Sequence, residues 1–91
     1  MTVLSNEELT KALQELHGWS LVEATLRRTF SFRDFVEAMH FVNSVAAMAE
    51  AMEHHPDIDI RYNKVSLTLT THDAGGLTSL DVTLAHQANG L

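Results

Sequence analysis

The chain has 91 residues, the length of one small domain, typical domains running to roughly 100 to 150 residues, so a multidomain enzyme is excluded. Hydrophobic residues make up 45% and charged residues 20%, an ordinary globular balance that argues against disorder, collagen and coiled-coil rods. Twelve Asp and Glu against six Lys and Arg give a net charge of −6 with no basic run, which would repel a phosphate backbone, and zero Cys rules out a disulfide framework, a thiolate nucleophile and Cys-ligated zinc.

The first element opens on Ser5-Asn6-Glu7-Glu8, the shape of a capping box, and Leu9, Ala12, Leu13 and Leu16 follow at helical spacing until Gly18 stops it. From Trp19 the period changes. Trp19-Ser20-Leu21 and then Leu26, Arg28, Phe30 and Phe32, alternating with Arg27, Thr29 and Ser31, predict two antiparallel strands. The longest element runs from Arg33 to Met52 without Gly or Pro, and Ser31-Phe32-Arg33-Asp34 has the shape of its capping box. Its polar residues Glu37, His40, Asn43, Ser44 and Glu50 share one arc, which leaves an apolar surface wider than the ~100° stripe needed to cover one sheet. A second copy of the chain is expected on the excess, making a homodimer or homotetramer.

After Pro56, Ile58-Asp59-Ile60-Arg61-Tyr62 alternates, Asn63-Lys64 marks a turn, and Val65, Leu67 and Leu69 alternate with Ser66, Thr68 and Thr70, predicting a hairpin. The last helix is announced by Leu77 to Val82: Thr78 caps, Asp81 reciprocates, Leu77 staples onto Val82, and Leu80, Leu84, Ala85 and Ala88 form its buried face. The order α-β-β-α-β-β-α predicts an α+β domain spanning 1–91, with a four-stranded antiparallel sheet and three helices on one face. No stretch approaches the ~20 apolar residues of a membrane span, and Met1 to Glu8 lacks the pattern of a leader. With no cysteine, a cytoplasmic protein that contacts no membrane is expected.

Chemistry gathers at the junctions around the second hairpin, where His54, His55 and His72 account for three of six histidines. Pro56 disfavours helical geometry at His55, so the two neighbouring imidazoles leave the helix in different directions. If the strand stays regular, His72 shares a face with Thr68 and Thr70, away from the apolar set. Imidazole titrates near neutrality, and several rings around one cleft suit general acid and base catalysis; a histidine in a last helical turn can equally serve the helix dipole. A His/carboxylate metal site built from Glu50, Glu53, Asp57 or Asp73 lacks the i, i+4 geometry of a ligand motif, so no metal is expected. Gly75-Gly76 before a helix is a weak anion-binding cue.

Glu50, three residues, His54-His55-Pro56, five residues, Tyr62, nine residues, His72, eight residues and Asp81 form a pattern that resembles the pterin-4a-carbinolamine dehydratase family in its bacterial form. The likeness extends over nearly the whole chain, through Gly18-Trp19, Phe30 to Phe35, Tyr62 to Val65 and Thr71-His72-Asp73-Ala74-Gly75-Gly76-Leu77-Thr78. It implies helices on one face of a four-stranded antiparallel sheet, and a cofactor-free hydro-lyase. Such an enzyme eliminates water from the 4a-hydroxytetrahydropterin left by aromatic amino acid hydroxylases, giving quinonoid dihydropterin. It also implies a functional link to such a hydroxylase.

Carried over by position, the resemblance implies His54, His55 and His72 as the catalytic histidines, His54 and His72 serving as acid and base and His55 holding the pterin. Which of the two is the acid stays open. Glu50 is implied as a carboxylate near the ring, Pro56, Thr70 and Thr71 as substrate contacts, and Trp19 as a pocket wall, although a lone Trp in a small domain also suits the core. Asp81 carries two readings, site residue and helix cap. Glu53 stands where the family commonly has Asp, and Leu80 where some members have Arg. Animal members also act as dimerisation cofactors of a homeodomain transcription factor, so the alternative is a protein-binding scaffold of the same fold.

Overall fold

Each helix begins where a short polar side chain can take up an unpaired amide. In the computed structural model, which describes residues 2–91, the order is α1 (Asn6–Glu15), β1 (Ser20–Val22), β2 (Thr25–Ser31), α2 (Phe35–Met52), β3 (Asp57–Arg61), β4 (Lys64–Leu69) and α3 (Ser79–Asn89), with a 3-10 turn at His72–Ala74. Ser5 and Glu8 cap α1 reciprocally, at 3.2 and 2.8 Å. The cap of α2 lies three residues beyond its predicted place: Asp34 accepts from the Glu37 N–H at 2.9 Å and Glu37 reaches back to the Arg33 N–H at 3.2 Å. Ser31 cannot serve there because it is still paired with Lys64 in the sheet.

The sheet is antiparallel throughout, in the order β1-β2-β4-β3. Its register places Leu26 opposite Leu69, Arg28 opposite Leu67 and Phe30 opposite Val65, so one face is apolar except for Arg28. On that face Val65, Leu67 and Leu69 are fully buried among Ala38, Phe41 and Val45 of α2 and Leu84 and Ala85 of α3, and each such aliphatic side chain contributes about 1.5–3 kcal/mol by leaving water. Arg28 is accommodated by stacking over Phe30 at 4.2 Å and donating to the His17 carbonyl and the Asn89 side chain. Gly18, at φ +85°, leaves room for it, since a Cβ there would lie 2.6 Å from the Arg28 Nε. The expected α+β architecture is the observed one.

Two further details differ from the sequence reading. The β3–β4 loop is Tyr62-Asn63 rather than Asn63-Lys64, because Lys64 pairs with Arg61 while Asn63 bonds Phe32 from both backbone and side chain. Leu80 is only half-buried, and the inward position in that turn belongs to Asp81. Ile58 and Ile60 face the same side as Leu67 and Val65 yet remain exposed, since β3 is the edge strand. On α2 the buried stripe is Ala38, Phe41, Val42, Val45 and Ala49, and one chain leaves Phe35, Val36, Ala46 and Ala47 outside the core.

Candidate active site

The C-terminus of α2 sets the first half of the site. Glu53 takes φ 54° and ψ 37°, the left-handed conformation, which costs a non-glycine residue about 1–2 kcal/mol, while the His54 N–H donates back to the Ala49 carbonyl at 3.0 Å. This reversal sends the two histidines in opposite directions. The His54 side chain turns inward and is 8% exposed, whereas His55 stands in solvent with its Nε2 3.5 Å from the Glu50 carboxylate.

The second half comes from the end of β4. The strand stops at Leu69, and Thr71 closes a tight loop with Gly76: its N–H donates to the Gly76 carbonyl at 3.1 Å, and its own carbonyl accepts from Ala74, Gly75 and Gly76. Gly75 makes the loop practicable, because φ 76° is readily adopted only without a Cβ. His72 therefore sits in the 3-10 turn, exposed, and not on a continued strand face with Thr68 and Thr70. The prediction that it is not core filling holds, although its route to the surface is different.

Between the two halves lies a cleft of about 240 Å³. His54, His55 and Glu53 line it from the α2–β3 junction, and Thr70, Thr71, His72 and Asp73 from the β4–α3 junction. At its floor, His54 Nε2 lies 2.6 Å from Asp81 Oδ1. Asp81 is fully buried; its Oδ2 accepts from the Thr71 hydroxyl at 2.7 Å and from the Thr78 N–H at 2.9 Å. Asp81 thus caps α3 and pairs with His54 at once.

Other expected site residues are placed differently. Trp19 lines no part of the cleft; it lies in the core against Phe30 at 6.1 Å, and its indole N–H donates to Asn89 at 2.8 Å, 70 residues along the chain. Glu50 is exposed and meets the site only through His55, and half-buried Pro56 is outside the lining. The Thr70 hydroxyl donates to the Ala24 carbonyl and that of Thr71 to Asp81, so neither retains its proton for a substrate. Thr78, expected as a cap, also meets the Thr71 hydroxyl at 2.8 Å; its signals in the sequence were the capping box and its place in the family-like run Thr71 to Thr78. Among the described residues, no three His, Asp or Glu side chains gather in a metal-holding group.

Fold and cleft together define a small α+β protein whose histidines converge from two junctions on one face. A family model described as "Pterin 4 alpha carbinolamine dehydratase" matches residues 2–91. A Sulfurisphaera tokodaii protein named "Putative pterin-4-alpha-carbinolamine dehydratase" is 48% identical over 91 residues, covering 100% of this chain and 98% of the relative. A Brucella melitensis crystal structure titled a transcriptional coactivator/pterin dehydratase matches with a TM-score of 0.95 and 37% identity, over 98% of this chain and 97% of that one. A pterin dehydratase-like protein described as a RuBisCO assembly factor in the alpha-carboxysome shares the fold, with a TM-score of 0.68 and 22% identity over 81% of this chain and 88% of that one. The chain belongs to the pterin 4 alpha carbinolamine dehydratase family.

Proposed function

We propose that this chain catalyses dehydration of a 4a-hydroxytetrahydropterin to the quinonoid dihydropterin through its histidines. The observation that carries this reading is the meeting of His54, His55 and His72 around one cleft. The reaction breaks the C4a–O bond and the N5–H bond: an acid protonates the departing hydroxyl, a base takes the N5 proton, and the N5–H electron pair becomes the N5=C4a double bond. Water and the dihydropterin are the only products, so the two histidines exchange roles without any redox change. A cleft of about 240 Å³ falls below the roughly 300–1,000 Å³ of sites for drug-sized ligands and suits one bicyclic head group held from one side. Glu50, beside His55, supports a polar contact at the rim of the cleft.

The test is a dehydration assay with purified protein and a 4a-hydroxytetrahydropterin, run with and without chelator. Acceleration that persists in chelator is expected. No acceleration over the uncatalysed rate would overturn the reading, and loss on chelation would move the chemistry to a metal. A second reading, a protein-binding scaffold, is favoured by the coactivator title of the Brucella melitensis relative and by the exposed Phe35, Val36, Ile58, Ile60 and Tyr62. A protein that binds a partner but never turns over pterin would establish it.

A further inference from the structure

The hydrogen bonds beneath the cleft leave little freedom in where their protons lie. The Thr78 N–H can only donate, so Asp81 Oδ2 accepts it; the Thr71 hydroxyl gives its single proton to the same oxygen, and the Thr71–Thr78 contact at 2.8 Å must be filled by the Thr78 proton. Thr78 Oγ1 accepts in turn from the Leu80 N–H at 3.3 Å. The chain of hydroxyls thus runs in one direction and ends on a carboxylate held at the N-terminus of α3, where negative charge is favoured. A carboxylate oxygen only accepts, so the 2.6 Å contact between Asp81 Oδ1 and His54 Nε2 is filled by an N–H on the ring.

The other ring nitrogen is then determined. His54 Nδ1 has no hydrogen-bond partner among the described residues, yet no buried side-chain nitrogen or oxygen is left unpaired, so Nδ1 is open to the cleft that His54 lines. We propose that Thr78, Thr71 and Asp81 form a positioning relay that holds neutral His54 as the Nε2–H tautomer and presents the bare Nδ1 lone pair to the substrate. Asp81 acts on His54 directly, as an aspartate does when it fixes the tautomer of a catalytic histidine, and the two threonines act through Asp81. This deepens the proposed function by giving His54 a proton-accepting atom. Its kinetic arm rests on that reading; its tautomer arm does not.

The experiment is ¹⁵N NMR of the imidazoles in the full chain, at a pH where the ring is neutral, together with steady-state kinetics. Wild-type protein should show His54 with a protonated Nε2 and a bare Nδ1. In Asp81→Asn the amide oxygen still accepts from Thr78 and Thr71, so its NH₂ faces His54 and the tautomer should invert, with kcat falling by about 10²–10⁴-fold and KM little changed. Thr71→Val should lower kcat by about 10- to 100-fold and Thr71→Ser should restore most of it, because the loss is of one hydroxyl donor to a carboxylate. An Nδ1–H tautomer in the wild type, or an unchanged tautomer in Asp81→Asn, would overturn the relay. So would equal losses in Thr71→Val and Thr71→Ser. If Asp81→Asn does not fold, the wild-type spectrum and the Thr71 pair still decide. A wild-type protein with the expected tautomer but no dehydration would sink the proposed reaction and leave the relay standing.

Discussion

His54 and His72 reach the cleft under opposite conditions, one ring enclosed and paired with Asp81, the other standing in solvent. If both move protons, His54→Ala and His72→Ala should each lower kcat by about 10²–10⁴-fold, and steady-state kinetics of the double variant should show whether either substitutes for the other. Near-normal turnover in the double variant would refute the acid–base assignment. His55, exposed beside Glu50, should behave differently: His55→Ala should mainly raise KM, as expected of a contact made equally in ground and transition states. The three histidines and Asp81 were legible as a spaced pattern, and the Thr78/Asp81 cap as a local one. The His54–Asp81 pair was not, because it joins residues 27 apart whose meeting depends on how α3 packs against α2. For Trp19 the core reading fits its buried position, while its indole partner Asn89, 70 residues along the chain, could not be read locally.

Among the elements, the starts of α1 and α3 were the most legible, since a capping box needs only residues three apart, whereas the similar pattern at Ser31 lay three residues short of the true cap of α2. Ser5 shows what such a cap does to titration. The Ser5 backbone N–H, and then its hydroxyl, hold the Glu8 carboxyl below the ordinary carboxylate value. A lowered folded value means that this contribution to stability is whole at neutral pH and is lost as the pH falls from the ordinary value through the lowered one. Glu8→Ala should therefore be less stable than the parent near neutrality, and the difference should close in acid; denaturant titrations at several pH values check this, and a constant gap would show that charge plays no part. Strand ends were less legible. Alternation pointed onward from Leu69 to His72, but the Thr71–Gly76 closure and the left-handed Gly75 turn the chain out of the sheet, and only the glycines hinted at it. Ile58 and Ile60 likewise revealed their face but not that it stays exposed at the edge of the sheet.

At the scale of the molecule, α2 buries one stripe and leaves Phe35 and Val36 in water, while β3 offers an unpaired edge with Ile58 and Ile60 beside it. Association of copies would cover these groups and supplement the limited core of 91 residues. Light scattering at micromolar concentration should give at least twice the mass of one chain. A monomer at every concentration would contradict this expectation and leave the wide apolar surface of α2 without a structural use. The sequence pattern showed that surface in full; what covers it is a property of the surroundings and not of the helix period.

Because Asp81 caps the start of one helix and grips the histidine beyond the end of another, the site has no existence apart from the docking of α3 on α2. Ala49 of α2 and Ala85 and Ala88 of α3 are all buried in the one core that holds the two helices together. If the chain turns over pterin as proposed, selection on that reaction acts on the packing of the seam as well, and bulk added there should cost turnover along with stability.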